Sequence, residues 1–387
     1  MSKLKHFRPA LQWVATLLIG GFWLAVVFHQ AAATGVPADF APFYCGGEVL
    51  RTGGPQALYD FAAIRQCQER YPPRPNTMLP FIRPPFYALL MAPLSLLPHR
   101  AAQLVWLVCQ LAALAGAVYL IARAAGFALA DVALHTAIFY PAVAAFFHRQ
   151  DTALVLAASA GAFWLIRQGR GFAAGLVLSL AAIKFHLLLL VPLAFLGQKN
   201  WSALRGLAVG LGSLAAISLA MVGPAGLAGY ARMLVERQLP NIDVNPQRIA
   251  SLLSVTGEMW IQAAVILLAG SIVLAAARRL PQMEALAVAW LASLPIAPHI
   301  YIADYLLALP CCLLLSRLGI VCMASSTLLL FPLVPILVPY GERFVLAAPL
   351  LALACAAGAA AGPYTRSWRW SCWKERFSML LGRRAGA

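Results

Sequence analysis

Charge is scarce in this chain. Asp, Glu, Lys and Arg make up 11% of its 387 residues, hydrophobic residues make up 62%, and the mean hydropathy is +0.80. A soluble globular domain carries about a quarter of its residues charged, so that class is excluded. Acids are the scarcer sign, 13 against 29 Lys and Arg. The net charge of +16 would suit nucleic acid if the basic residues formed one patch. They sit instead in short clusters between apolar runs, the pattern of cytoplasmic loops, so nucleic acid is not an expected partner. Chemical motifs are missing as well. No Gly-rich loop is followed by Lys and Ser/Thr, and neither HExxH nor a Ser nucleophile elbow occurs, which argues against ATP-driven chemistry, zinc hydrolysis and acyl transfer. The eight cysteines show no CxxC and no Cys/His metal spacing, so no metal or cofactor is expected. With no Ser/Pro-rich linker or long charge run, residues 1–387 read as a single integral-membrane domain.

What fills the chain is a series of apolar runs, many of about 20 residues, the length that crosses a hydrocarbon core about 30 Å thick. The first, residues 11–30, follows Lys3, Lys5 and Arg8 and is too long for a signal sequence, so it reads as a retained anchor with a cytoplasmic N-terminus. Residues 32–100 lack a continuous spanning run and read as an ordered extracytoplasmic loop. Within it "PPFYALLMAPLSLLPHR" reads as an interfacial helix and "GEVLRTGG" as a turn-rich connector. Further spans are predicted at 101–122, 132–147, 152–166, 206–223, 258–277, 285–298, 304–316, 319–339 and 344–361, ahead of a cytoplasmic basic tail, 364–387.

One stretch poses a geometric problem. "GFAAGLVLSLAAIKFHLLLLVPLAFLG" has cytoplasmic basic residues at both ends, yet is too short to cross the membrane twice. Two short helices turning near Lys184, Phe185 and His186 resolve it. Such half-length helices persist only where their ends line a protein-enclosed or water-filled cavity. The expected fold is therefore all-α and polytopic, with about twelve membrane helices. Ten of the thirteen acids fall on or near its outer side.

Ionisable groups at membrane depth are costly and usually functional, which singles out Asp39, His148, Arg149, Asp151, Lys184, His186, His299 and Asp304. Each has a structural alternative. Asp39, Asp151 and Asp304 suit helix caps, Lys184 suits snorkelling to the interface, and His299 suits backbone satisfaction. Arg83, in "FIRPPFY", reads as a headgroup anchor. Cys45 and Cys67 both lie in the outer loop, an oxidising compartment, and are a disulfide candidate.

Four segments in order, "ADFAPFYCGGEVLRTGGPQALYD", "RPPFYALLMAPLSLLP", "AAGLVLSLAAIKFHLLLLVPLAFLGQKNWSALRG" and "PHIYIADYLLALP", resemble glycosyltransferase family 87 over residues 10 to 310. These are membrane enzymes of the GT-C type, similar to polyprenol-phosphate-mannose-dependent α-1,2-mannosyltransferases. The resemblance implies a GT-C fold, a polyprenyl-phosphate sugar donor, a glycan or glycolipid acceptor, and an active site on the outer face of the plasma (inner) membrane. It also implies that Asp39 is the catalytic base. Lys184 and His299 match the positions that bind the donor phosphate or organise the site, and His186, Arg149, Gln150, Asp151, Asp304 and Tyr59 join them as substrate-binding candidates. Where the family usually carries a Gly-Gln pair before the fourth span, this chain has "HRQD".

The chemistry is consistent with that assignment. A polyprenyl phosphate leaves as a stable anion, so transfer needs one base and cations but no general acid. Glycoside hydrolysis differs, because its alkoxide leaving group requires a second carboxyl group. A transporter or flippase would want similar midplane charges, but also broken helices in matching positions of two halves, and one broken pair is visible. A non-enzymatic scaffold fits the charged outer segments less well.

Overall fold

The computed structural model describes residues 2–33, 39–71, 79–235, 248–249, 258–298, 300–316 and 354. They form an all-α membrane protein. The one strand pairing described is a two-residue antiparallel contact of Arg248–Ile249 with Ile300–Tyr301.

The first span is α1, Ser2–Ala33. The segment expected to be extracytoplasmic follows as a packed layer. Helix α2, Phe40–Thr52, buries every residue from Phe40 to Val49, and a Cys45–Cys67 disulfide with Cα atoms 5.7 Å apart joins it to α3, Phe61–Glu69. Asp60 caps α3 by accepting from Ala62 N at 2.9 Å. The "GEVLRTGG" connector is a correction: Gly47 to Thr52 are helical, and the turn is confined to Gly53 and Gly54. Gly46 and Gly47 serve close packing instead. A Cβ on Gly47 would lie 2.5 Å from the Met91 backbone, so α4, Pro85–Met91, rests directly on α2. Helix α4 buries Tyr87, Ala88 and Met91 and exposes Leu89 and Leu90, an amphipathic face suited to the membrane interface.

Helices α5, His99–Ala125, and α8, Thr152–Arg167, pack side by side in the same direction: Trp106 of α5 bonds the chain just before α8, while Arg167 bonds the Ala124 carbonyl at the far end. Between them the predicted span 132–147 is broken. Helices α6, Leu129–Ile138, and α7, Tyr140–Phe147, bend by 64° at an extended Phe139, because Pro141 cannot continue the hydrogen-bond ladder.

The short stretch after α8 is also divided. Helix α9, Gly171–Ser179, runs into a 3-10 turn, Leu180–Leu187, interrupted by non-helical Lys184 (φ −125°, ψ 60°), and the chain leaves through α10, Val191–Gly197. The segment returns to its starting level, since a Cβ on Gly171 would lie 2.9 Å from Asn200 Oδ1. Glycines allow the fit against α11, Trp201–Val235. Cβ atoms on Gly175 and Gly206 would each fall 2.0 Å from a carbonyl oxygen across the α9–α11 contact. Helix α11 is itself broken at Gly223 (φ 65°), just before Pro224. Helices α12, Met259–Arg279, α13, Gln282–Ser293, and α14, Ala308–Leu315, complete the described bundle. Helix α14 and residues 285–293 of α13 are buried throughout and apolar, as centrally placed helices must be.

Among the described residues five helices are long and apolar enough to cross a membrane, α1, α5, α11, α12 and the Gly171–Leu188 stretch if it is taken through its break at Lys184, or six if the bent α6–α7 pair is one span. About twelve spans were expected. Residues 319–339, and all of 344–361 except Ala354, lie outside the described residues, and α8, α13 and α14 are shorter than a full crossing. The α9–α11 glycine seam yields a prediction. Gly206→Leu cannot be accommodated against the Phe172 carbonyl and should cost about 1–3 kcal/mol, read as a lower unfolding midpoint in detergent, whereas Gly212→Leu, which meets open space, should not.

Candidate active site

The four-residue turn between α7 and α8, "HRQD", organises the site. To reverse the chain there, Arg149 adopts a left-handed conformation (φ 57°), uncommon for a residue with a side chain. The surroundings hold it. Trp106 Nε1 donates to its carbonyl at 3.0 Å, Gln110 Nε2 donates to the next carbonyl, and its guanidinium donates to the Phe146 and Val27 carbonyls. Backbone constrained in this way clusters at functional sites.

The turn directs Gln150 and Asp151 inward, where they meet two cations. Arg83 grips Asp151 with two bonds, Nε to Oδ2 at 2.6 Å and Nη2 to Oδ1 at 3.0 Å, and reaches Gln150 Oε1 at 3.4 Å. Lys184 Nζ donates to Asp304 Oδ1 at 2.5 Å, Gln150 Oε1 at 2.8 Å and Thr152 Oγ1 at 2.9 Å, and lies 3.3 Å from Asp151 Oδ1. Thr152 donates to Asp304 Oδ1 at 3.2 Å, and Asp304 Oδ2 accepts from Tyr301 N at 3.0 Å. Arg83, Asp151, Lys184 and Asp304 are all buried, and their formal charges sum to zero. An ion removed from water survives only with such pairing and additional hydrogen bonds.

Several expectations are refined by this geometry. Arg83 is not a headgroup anchor: it is 4% exposed, with its guanidinium over the Phe43 ring. Asp151 stands at the N-cap position of α8 but makes no capping bond, its carboxylate being committed to Arg83. Asp304 does cap, bonding back to Tyr301, and pairs with Lys184 as well. Lys184 does not snorkel: the break in its helix points it inward. Its three ammonium protons are all taken by protein acceptors. His186 is buried on the same turn, close enough to Asp304 to interact electrostatically. Tyr59 donates to the Arg83 carbonyl at 2.8 Å, and burial against Tyr230 pushes its phenol well up, so it acts there as a neutral donor. His299 lies outside the described residues.

Asp39 is different. It occupies the N-cap position of α2 without making a capping bond, and its Oδ2 faces His148 Nδ1 at 3.7 Å. Its side chain is 19% exposed, against 0% and 1% for Asp151 and Asp304. The carboxylate with access is Asp39. The other two are sealed. The 148–151 turn therefore joins two environments: its first residue faces Asp39, and its last two face Lys184.

Sequence reasoning overlooked Arg83 as an internal ion and Thr152 and Tyr301 as its neighbours' partners. Arg83 precedes Pro84 and Pro85, whose rigid backbone aims it, but nothing local reveals that its acid lies 68 residues away.

The helical bundle thus sets a partly open carboxylate, Asp39, beside a sealed charge cluster. The model of glycosyltransferase family 87 matches residues 81–310, more than half of the chain. The chain belongs to glycosyltransferase family 87 and is a membrane glycosyltransferase. No curated protein and no solved structure matches it.

The buried cluster predicts a distinctive pattern of variants. Arg83→Met alone strands Asp151 and should cost about 3–5 kcal/mol, whereas Arg83→Met combined with Asp151→Leu should recover most of that loss. Thermal unfolding of the two variants in detergent checks it; equal destabilisation would contradict the pairing.

Proposed function

We propose that the protein transfers a hexose, by its resemblance mannose, from a polyprenyl-phosphate donor to an acceptor hydroxyl on the extracytoplasmic side, inverting the anomeric centre, with Asp39 as base. The observation that carries the reading is the contrast in exposure between Asp39 and the two sealed acids. A base must reach substrate, and Asp39 is the acid that can.

In this mechanism Asp39 accepts the acceptor hydroxyl proton while that oxygen bonds to the anomeric carbon. The bond from that carbon to the phosphate oxygen breaks on the opposite face, and its electron pair leaves with the polyprenyl phosphate. Lys184 stabilises the departing anion from a site shielded from bulk water, assisted by His186 and, as the family resemblance implies, by His299. To do so it must exchange a protein partner for the phosphate, and the Gln150 amide, its one neutral carbonyl acceptor, is the easiest to give up. Asp304 and Asp151 keep the cation oriented, and Tyr59 holds the backbone of Arg83. The disulfide in the outer segment fits an oxidising compartment, and the basic N-terminus fits a cytoplasmic start, together favouring the plasma membrane with the site outside. A GT-C fold accommodates this arrangement.

Two measurements test the reading. Transfer from a panel of polyprenyl-phosphate sugars should fall by about 100-fold or more in Asp39→Asn, which removes the base and spares the shape. Full activity in that variant would remove Asp39 from the mechanism. Gln150→Ala should leave Lys184 charged and positioned, and so should weaken turnover far less than Lys184→Met; the reverse order would place the phosphate elsewhere.

A further inference from the structure

The helices beside the 148–151 turn leave a groove that the mechanism above does not use. It lies between α1, α5 and the bent α6–α7 pair, with a volume of about 400 Å³, and its walls include Trp13, Gly20 and Val27 of α1, Leu114 and Val118 of α5, and Phe146 of α7. The hydroxyls of Thr16 and Thr136 in its walls are spent on the carbonyls of Gln12 and Val132 in their own helices, and apart from Trp13, Trp23 and Tyr119 its other lining residues are apolar. The groove is therefore lined mainly by hydrocarbon and suits a hydrocarbon occupant. From Trp13 to Val27 it follows α1 for fourteen residues, about 21 Å, a large part of the hydrocarbon core about 30 Å thick. A Cβ on Gly20 would meet nothing within 4 Å, so the helix leaves this space open.

One end of the groove is fixed. The carbonyls of Val27 and Phe146, which belong to its walls, both accept from the Arg149 guanidinium, which ties α1 to α7 there. The residue next to Arg149 is His148, and His148 faces Asp39. A chain lying in the groove thus presents its polar end to Asp39. The Lys184 cluster is reached through Gln150 and Asp151, on the other part of the turn.

We propose that the acceptor is a glycolipid whose hydrocarbon chain lies in this groove, with its sugar hydroxyl delivered to Asp39. The assignment rests on the reading of Asp39 as base and of Lys184 as the donor-phosphate cation: the donor approaches Lys184, so the groove that ends at the base serves the acceptor. Arg149 is a positioning residue here, clasping the two walls.

The test uses the full chain in nanodiscs and a hexadecyl mannoside with a photoactivatable diazirine in its alkyl chain. Labelling of wild type should map to groove residues such as Leu114 and Val118, should be lost in Gly20→Trp and in Ala115→Phe, and should persist in Gly116→Trp, a position on α5 whose Cβ meets open space outside the groove. Excess polyprenyl phosphate should not compete. In turnover, Gly20→Trp should raise KM for hexadecyl mannoside relative to methyl mannoside by roughly tenfold or more, the value of about two displaced methylenes. Competition by polyprenyl phosphate would give the groove to the donor and overturn the proposal. Labelling spread over the lipid-facing helices and indifferent to Gly20→Trp would mean ordinary bilayer lipid and overturn it equally. Labelling needs no catalysis, so a chain that binds the probe in the groove but never turns over a polyprenyl-phosphate sugar would refute the enzyme mechanism while leaving the groove assigned.

Discussion

The structure depends on a buried exchange of charge among Arg83, Asp151, Lys184 and Asp304. Each of these ions is expensive to remove from water, and none is stable there without the others. The cluster therefore fastens four segments that are distant in sequence: the stretch before α4 carrying Arg83, the 148–151 turn, the broken helix carrying Lys184, and the 3-10 turn after Tyr301. Gln150 and Thr152 contribute the neutral hydrogen bonds that fill the remaining valences. Removing any one ion leaves a neighbour uncompensated, which explains how charged side chains persist in a chain otherwise so poor in them.

Reaching that depth requires backbone to approach backbone. The Gly175 and Gly206 contacts seat the broken helix against α11, and the Gly47 contact seats α4 against α2. In a membrane, where lipid is as apolar as the side chains, such close packing supplies association that burial from water cannot. The breaks at Phe139, Lys184 and Gly223 follow the same logic, since freed backbone groups are tolerable only inside protein.

The proposed mechanism rests on a difference in accessibility. Two carboxylates of the site are sealed against cations, while Asp39 stands partly open beside His148. In a glycosyltransferase that uses an already stable leaving group, one reachable base is sufficient, and the sealed pair is free to orient the cations. In the same proposed reading, the apolar groove that ends at this turn is the path by which a hydrocarbon-anchored substrate reaches Asp39.

Composition and the spacing of basic residues were enough to determine a helical membrane protein, because apolar length and flanking charge act locally. They also exposed the broken helix at Lys184, since the basic residues at both of its ends read as lying on one side and left too few residues for two crossings. The candidates Asp39, Lys184, Asp151 and Asp304 were legible because a charge at membrane depth is costly wherever it stands. Their roles were not. Asp39 and Asp151 both sit at cap positions, and only the fold decides that neither caps, because one carboxylate is claimed by an arginine 68 residues earlier and the other faces His148 across two helices. The use of Gly46 and Gly47 within a helix was likewise hidden, because a glycine serves a turn and a close approach equally well until its neighbour is known. Periodicity and local charge report what a segment prefers; pairing across the bundle is set by packing between segments, which the order of residues along the chain does not encode locally.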